Sequence, residues 1–314
     1  MPDEVRDFTS TVAGTFQLVA EHSWPGRHHR PRVWEVRGGA GRRWFVKQHA
    51  EPSGHQREVN AYQQWTHLLG PGRAPEMVAR HPASRSIIVT PMPGRNIHSH
   101  PLDARQEVEA YQQAGSLLAR LHSAPVASTP GETEEEWRAG VEQMLNDAPL
   151  YLPSDATALL RDLTRERPAT LPALVAHADF QPRNWLWHEA TRTLHLIDFE
   201  RTCIEPPVRR DLARLELRIL PARPRLRPAF YDGYGRQPSP AELHACCAYG
   251  ALDAVSLIKW GLQHHDVDAV NQAHAMLANL RIAHTHLTRT TRRAGTVPTR
   301  RSERPPQPTH RELP

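Results

Sequence analysis

Lysine is nearly missing from this chain. Of its 39 basic residues only Lys47 and Lys259 are lysine, and the others are all arginine. A guanidinium fork and a compact ammonium make different contacts, so each retained lysine calls for a reason. Cysteine is scarce too. Cys203, Cys246 and Cys247 are an odd number with two adjacent, which fits neither a disulfide framework nor a zinc-binding spacing. Reduced thiols in a cytoplasmic protein are the expectation. No apolar run approaches the roughly 20 residues of a membrane-spanning helix. The opening MPDEVRDFTS carries acids where a secretory signal would be apolar. What is present, 39% hydrophobic and 23% charged residues, matches a soluble globular protein with one or two domains' worth of core.

The net charge of +5 points toward nucleic acid until it is located. From residue 281 onward there are eight Arg against two Glu, so the preceding 280 residues sum to −1. Most of the basicity therefore belongs to the segment 290–314, which holds six of those Arg and both Glu, with five Pro and few large apolar residues. Such a segment cannot offset the entropy of ordering its backbone, and it is expected to be a disordered tail. A nucleic-acid role would rest on this tail alone.

The first ninety residues read as short strands with turns. Val33–Arg37 and Arg43–Gln48 flank a turn at 38–42 and predict a hairpin. A helix is predicted from about Gly54, with Val59, Tyr62, Trp65 and Leu69 at helical spacing. Ser86–Thr90 is a compact apolar strand that runs into Pro-Met-Pro-Gly. Beyond it the pattern turns helical over 103–123, 137–145 and 154–165, and again from Arg210, Pro240 and Asp268. A hairpin is embedded at 184–199. The chain thus divides into a strand-rich part, 1–93, a helical part, 94–289, and the tail. This is an α+β architecture of two lobes with a cleft between them.

The stretch Val175-Ala-His-Ala-Asp-Phe-Gln-Pro-Arg-Asn-Trp-Leu-Trp, followed by Leu196-Ile-Asp-Phe-Glu, carries the most chemistry. A hairpin of this length brings its ends together, so Asn184 and Asp198 should face one point. One amide oxygen and one carboxylate form an oxygen-ligand set of the kind Mg²⁺ uses, with waters and phosphates completing it. Asp179, five residues before Asn184, is placed to meet a hydroxyl. Any one of these residues alone would most often be a turn former, but the joint pattern is hard to obtain by accident. Twenty His fall in no ligand-like spacing, and no transition metal is expected.

HADFQPRNWLW with LIDFE resembles the catalytic segment of the aminoglycoside phosphotransferase and choline kinase family, which has a protein-kinase-like fold. QAGSLLARLH at 113–122 and Asp211 in PVRRDLARL extend the resemblance. The resemblance implies a small β-rich N-terminal lobe, a larger helical lobe, and ATP with Mg²⁺ as cofactors. It also implies that Asp179 orients the substrate hydroxyl or accepts its proton, that Asn184 and Asp198 hold the metal, and that His177 braces the loop. Asp211 would bond loop backbone amides. Lys47, at the end of the apolar strand Trp44-Phe-Val-Lys, resembles the phosphate-binding lysine of kinases, with Glu58 as its ion-pair partner. Thr90 C=O and Met92 N–H should meet the adenine edge, because Pro91 and Pro93 have no N–H to offer. The segment Ser23–Arg32, with one glycine, would cover the phosphates by position only.

The expected activity is transfer of the ATP γ-phosphoryl group to a small-molecule hydroxyl. An aminoglycoside or other polar antibiotic comes first as acceptor, on family likeness and on acids scattered through the C-terminal half. These include Glu132, Glu134–Glu136, Asp253, Asp266 and Asp268. A choline- or homoserine-like metabolite is the alternative, with Trp137, Trp260, Tyr231 and Tyr234 as candidates for an aromatic cage. From a different class comes a nucleotide-binding regulator that has lost catalysis. Lys259, in an apolar helical context, is expected to be a surface residue with its head in solvent.

Overall fold

Trp34 and Val36 alternate along β2 (Arg32–Gly38), and Val46 lies opposite Trp34 on β3 (Arg43–Gln48). The computed structural model describes residues 1–23, 31–39, 41–126 and 132–294. Its N-terminal sheet is antiparallel in the order β1–β2–β3–β5–β4, completed by β1 (Phe16–Glu21), β4 (Met77–His81) and β5 (Ser86–Val89). Both faces of this sheet are covered. Trp34, Val36, Val46 and Ile88 pack under Val5 and Phe8 of α1 (Asp3–Ala13), while Ile87 and Val89 pack under Val59 of α2 (Pro52–Gln64). Double coverage explains the unbroken apolar run at 87–89, since neither face of that strand meets water. Each fully buried large side chain contributes about 2 kcal/mol. The helix α1 lies in a region that reads as strands and turns, and its eleven residues carry too few apolar positions to stand out.

After Gly94 the chain enters a helical lobe. α3 (Ala104–His122) starts with a capping box in which Asp103 accepts from the N–H groups of Arg105 and Gln106 at 2.9 and 2.8 Å. It is followed by α4 (Glu134–Asp147), α5 (Ser154–Leu163), and the short α6 (Asp211–Arg214), which runs on in a π-helical turn to Ile219. α7 (Leu226–Tyr234), α8 (Pro240–Gln263) and α9 (Val267–Ala294) complete it. α3 and α7 cross at glycine: a Cβ on Gly115 would fall 2.0 Å from Phe230 O, and one on Gly233 only 1.8 Å from Gln112 O. Lys259 lies at the surface as expected, 37% exposed, and its ammonium joins α8 to α4 through Asp147 at 2.8 Å.

Three small strand pairings set the geometry of the loops. β6 (Arg95–Asn96) pairs with β8 (Trp185–His188), and β8 pairs with β9 (Thr193–Leu196). β7 (Leu174–Ala176) pairs with β10 (Cys203–Glu205). The loops 177–184 and 197–202 are therefore tied at both ends. The final helix reaches Ala294, so the first five residues of the segment expected to be a disordered tail are helical. Residues 295–314, and residues 24–30 of the basic segment 23–32, lie outside the described residues. Among the described residues no helix is long and apolar enough to cross a membrane.

Candidate active site

The hairpin β8–β9 does what its length requires. Ile197 N–H donates to Asn184 O at 3.1 Å, which sets Asn184 beside the start of the Asp198 loop. Asn184 Nδ2 donates to Asp179 O at 2.9 Å and to Asp179 Oδ2 at 3.0 Å. With its nitrogen committed to Asp179, the amide has its oxygen left to accept or to ligate. Asp198 sits at φ +66°, a left-handed conformation that Asp tolerates better than most residues. Its carboxylate is 40% exposed.

Lys47 Nζ lies among three carboxylates, 2.7 Å from Asp198 Oδ1, 2.8 Å from Glu58 Oε2 and 3.3 Å from Glu200 Oε2. Burial alone would lower the pKa of this ammonium, but Asp198, Glu58 and Glu200 raise it well above its ordinary value. Glu58 is the converse case. Burial opposes its ionisation, yet Lys47 and His49 lower its pKa to about 2. The expected Lys47–Glu58 pair is thus present. His49 joins it unannounced, with Nε2 2.6 Å from Glu58 Oε2 and Nδ1 3.0 Å from Arg85 O. Donor atoms of His49, Glu58 and Glu200 lie within 4.8 Å of one another, but the Lys47 ammonium already supplies the cation that the two carboxylates share.

Asp179 is buried and held from several sides. Arg183 Nη2 is 2.8 Å from its Oδ2, Arg214 Nη1 is 3.4 Å from its Oδ1, and Gln181 Nε2 donates to Oδ1 as well. Burial would raise this carboxyl, but Arg183, Arg214 and Arg201 hold it well below the usual carboxylate range. The backbone before it is strained, since Ala178 has φ +59°, a conformation costing on the order of 1–3 kcal/mol. Asp211 offsets that cost. Its Oδ2 accepts His177 N–H and its Oδ1 accepts Ala178 N–H, each at 2.8 Å, and Arg214 Nη1 donates to Ala178 O at 2.8 Å. His122 Nε2 lies 3.2 Å from Asp211 Oδ2 and its Nδ1 lies 2.8 Å from Tyr234 Oη, so α3 meets the carboxylate and α7 holds the histidine that does so.

His177 is fully buried, and both ring nitrogens are without a hydrogen-bond partner. It acts on the loop through its backbone N–H and through ring contacts with Phe180 and Phe199. Thr90 stands apart from this cluster. Its N–H donates to Glu76 O, and its Oγ1 accepts from Glu76 N–H, both at 2.9 Å. Met92 is half-buried just beyond it, where the sheet hands over to the helical lobe.

Sequence reasoning passed over Glu200, His49, Arg183, Arg214 and Arg218, and it read Asp253 as an acid for a cationic substrate rather than as the partner of Arg214 and Arg218. Glu200 follows Asp198 by two residues, and its side chain fills the space that a Cβ at Gly54 would need. Arg214 had a readable signal, because it stands three residues after Asp211 and must share its helix face. Arg214 and Arg218 both engage Asp253 of α8, at 3.5 and 2.6 Å.

The phosphotransferase enzyme family model matches residues 26–248. No curated protein matches by sequence. Among solved structures, the GDP complex of wild-type aminoglycoside 2'-phosphotransferase-IIIa is similar at 14% identity, over 88% of this chain and 96% of that one, with a TM-score of 0.66. A thermostable mutant of aminoglycoside phosphotransferase APH(4)-Ia in its apo form matches at 14% identity over 88% and 98%, with a TM-score of 0.62. A choline/ethanolamine kinase family protein from Mesorhizobium loti matches at 16% identity over 91% and 96%, with a TM-score of 0.60. These likenesses show a kinase-like fold, with an antiparallel-sheet N-terminal lobe and a helical C-terminal lobe.

Proposed function

The chain belongs to the phosphotransferase enzyme family, and from that premise we propose that it moves the γ-phosphoryl group of ATP to a hydroxyl of a small molecule. One observation carries the reading: Lys47, Asp198, Asn184 and Asp179 converge, with Lys47 2.7 Å from Asp198 and Asn184 3.0 Å from Asp179. Phosphoryl transfer asks a protein mainly for positioning and charge neutralisation, and these four side chains are suited to both. The nucleotides in the neighbours, GDP in one and AMP-PNP in another, support a nucleoside triphosphate donor.

In this reading Lys47 Nζ meets phosphate oxygens, while Glu58, fixed by His49, keeps the ammonium in place. Thr90 C=O and Met92 N–H meet the adenine edge. Asn184 Oδ1 and the Asp198 carboxylate are oxygen ligands only, the donor set that suits Mg²⁺. Bound there, Mg²⁺ would neutralise charge on the phosphates. Asp179 accepts a hydrogen bond from the acceptor hydroxyl and aims its oxygen at the γ-phosphorus. As the new O–P bond forms, the bond to the β–γ bridging oxygen breaks, and its electron pair leaves with the nucleoside diphosphate. The hydroxyl proton passes to Asp179. A carboxylate held so far below neutrality takes that proton late, so orientation is its main contribution. His177 and Asp211 keep the loop in its strained form.

Two of the acids that favoured a cationic antibiotic do not stand free. Asp253 is paired with Arg214 and Arg218, and Glu132 with Arg209 at 3.1 Å. Support for an aminoglycoside acceptor therefore rests on the neighbours. A nucleotide-binding regulator without catalysis is disfavoured, since Lys47, Glu58, Asp179, Asn184 and Asp198 are all retained. The test is incubation with Mg-ATP and a panel of hydroxyl compounds, with adducts read by mass spectrometry. An adduct made by the wild type and lost in Asp179→Asn supports the proposal, whereas equal activity of the two proteins overturns the mechanism.

A further inference from the structure

Both cationic acceptors raised by the sequence, a polyamine antibiotic and a quaternary ammonium alcohol, need partners in the helical lobe. A polyamine needs open carboxylates. Around Asp179 the described carboxylates are already spoken for: Asp253 by Arg214 and Arg218, Glu132 by Arg209 and Tyr249 Oη, and Glu205 by Arg210 at 3.7 Å. A quaternary ammonium needs open aromatic faces. Trp137, Tyr231 and Tyr234 are core residues, and Trp260 stacks on His264. Tyr249, which packs edge-on against Trp137, has Arg209 over its ring at 5.6 Å.

Apart from the Asp198 carboxylate, 40% exposed and assigned to the metal in the reading above, arginine is what remains accessible. Arg183 is 42% exposed while its Nη2 rests 2.8 Å from Asp179 Oδ2. Arg210 is 37% exposed and directly precedes Asp211, the residue that holds the catalytic loop. With Arg201, Arg209, Arg214 and Arg218, six guanidinium groups stand near five carboxylates, those of Asp179, Asp211, Asp253, Glu132 and Glu205. Glu205 is the weakest of those five as an anion, because burial pushes its pKa up. An ammonium entering here meets the like charge of the exposed arginines, which repels it. A planar carboxylate or a phosphate meets the fork geometry that arginine matches best.

Resting on the phosphotransferase reading above, we infer that the acceptor is a hydroxyl compound bearing an acidic group, a carboxylate or a phosphate, met by Arg183 and Arg210. Polycations and quaternary ammonium alcohols are excluded. The hydroxyl then reaches Asp179 while the acidic group draws Arg183 partly away from it. The chemistry of transfer is unchanged, and only the recognised partner differs.

Calorimetric titration of the protein loaded with Mg²⁺ and AMP-PNP tests this with four probes: glycerate, glycerol 3-phosphate, choline and kanamycin. At least one anionic probe should bind, and the two anions separate a carboxylate-directed site from a phosphate-directed one. Arg210→Gln should weaken that binding about tenfold or more, with Arg210→Lys intermediate, as expected for loss of a charge-assisted fork. Tighter binding of choline or kanamycin than of both anions overturns the inference. So does failure of both anions to bind at millimolar concentration, or an anion affinity that Arg210→Gln leaves unchanged. If AMP-PNP itself does not bind, the phosphotransferase reading falls, and this inference with it.

Discussion

Lys47 and Asp198 stand 151 residues apart in the sequence and meet at 2.7 Å, linking the sheet lobe to the loop after β9. The contact is one of three that converge on a single ammonium, so removing that ammonium strands three carboxylates at once. Lys47→Met should destabilise the fold by about 3 kcal/mol, the scale for breaking a buried pair, and should weaken ATP binding. Lys47→Arg should not restore binding, because a planar fork cannot replace a point charge among three converging oxygens. Thermal unfolding and nucleotide titration of both variants check this.

Asp211→Asn keeps the shape of the loop anchor but offers one acceptor oxygen in place of two. One of the N–H groups of His177 and Ala178 would then face an amide nitrogen. The expected cost is about 2 kcal/mol, the penalty for a buried donor left unmade, with turnover falling as Ala178 leaves its left-handed conformation. Urea unfolding and steady-state turnover of the variant measure the two effects separately.

The acid side of the activity profile should reflect Asp179. Arginines hold this carboxyl below the usual range, so turnover should persist as pH falls through the ordinary carboxylate region. Arg214→Met removes one of those cations, which raises the Asp179 pKa and moves the acid limb to higher pH. A profile that stays put in the variant would contradict the assigned electrostatics.

Glu58 supplies a linked prediction for stability. Its folded pKa is about 2 against an ordinary 4.5, and a depressed acid contributes stability that is fully present above its unfolded pKa. That contribution should disappear as pH falls from 4.5 toward 2. In Glu58→Gln, denaturant unfolding should show a shallower loss of stability across the same window.

Much of this arrangement was legible in the sequence, for identifiable reasons. The hairpin, the His177–Asn184 loop and Asp198 lie within a few dozen residues, so turn length alone brings them together. Lys47 stood out because the chain has almost no other lysine. The hidden parts depend on tertiary approach. Arg214, Arg218 and Asp253 meet across α6 and α8, and nothing local in either helix announces the pairing. His49 reads as a strand residue until Glu58 arrives from the next helix. The acids of the C-terminal half were visible as charges, but their arginine partners were visible only as composition.

The crossing of α3 and α7 gives a prediction about the fold itself. Gly115→Ala or Gly233→Ala would press a methyl group into the backbone of the other helix, within 2.0 Å in both cases. Each should cost on the order of 2–3 kcal/mol, the scale for overpacking a tight site. Because His122 and Tyr234 sit on these two helices and reach toward Asp211, turnover should fall as well. Thermal melts and turnover assays of the two variants decide it.

The central claim is that Asp179 directs a hydroxyl onto the γ-phosphorus of ATP. Its most direct test follows label from γ-labelled ATP into small-molecule product, with wild type and Asp179→Asn assayed in parallel. The account predicts labelled product from the wild type and a loss of at least about a hundredfold in the variant, in line with removal of a positioned catalytic group. Equal transfer by the two proteins would contradict it.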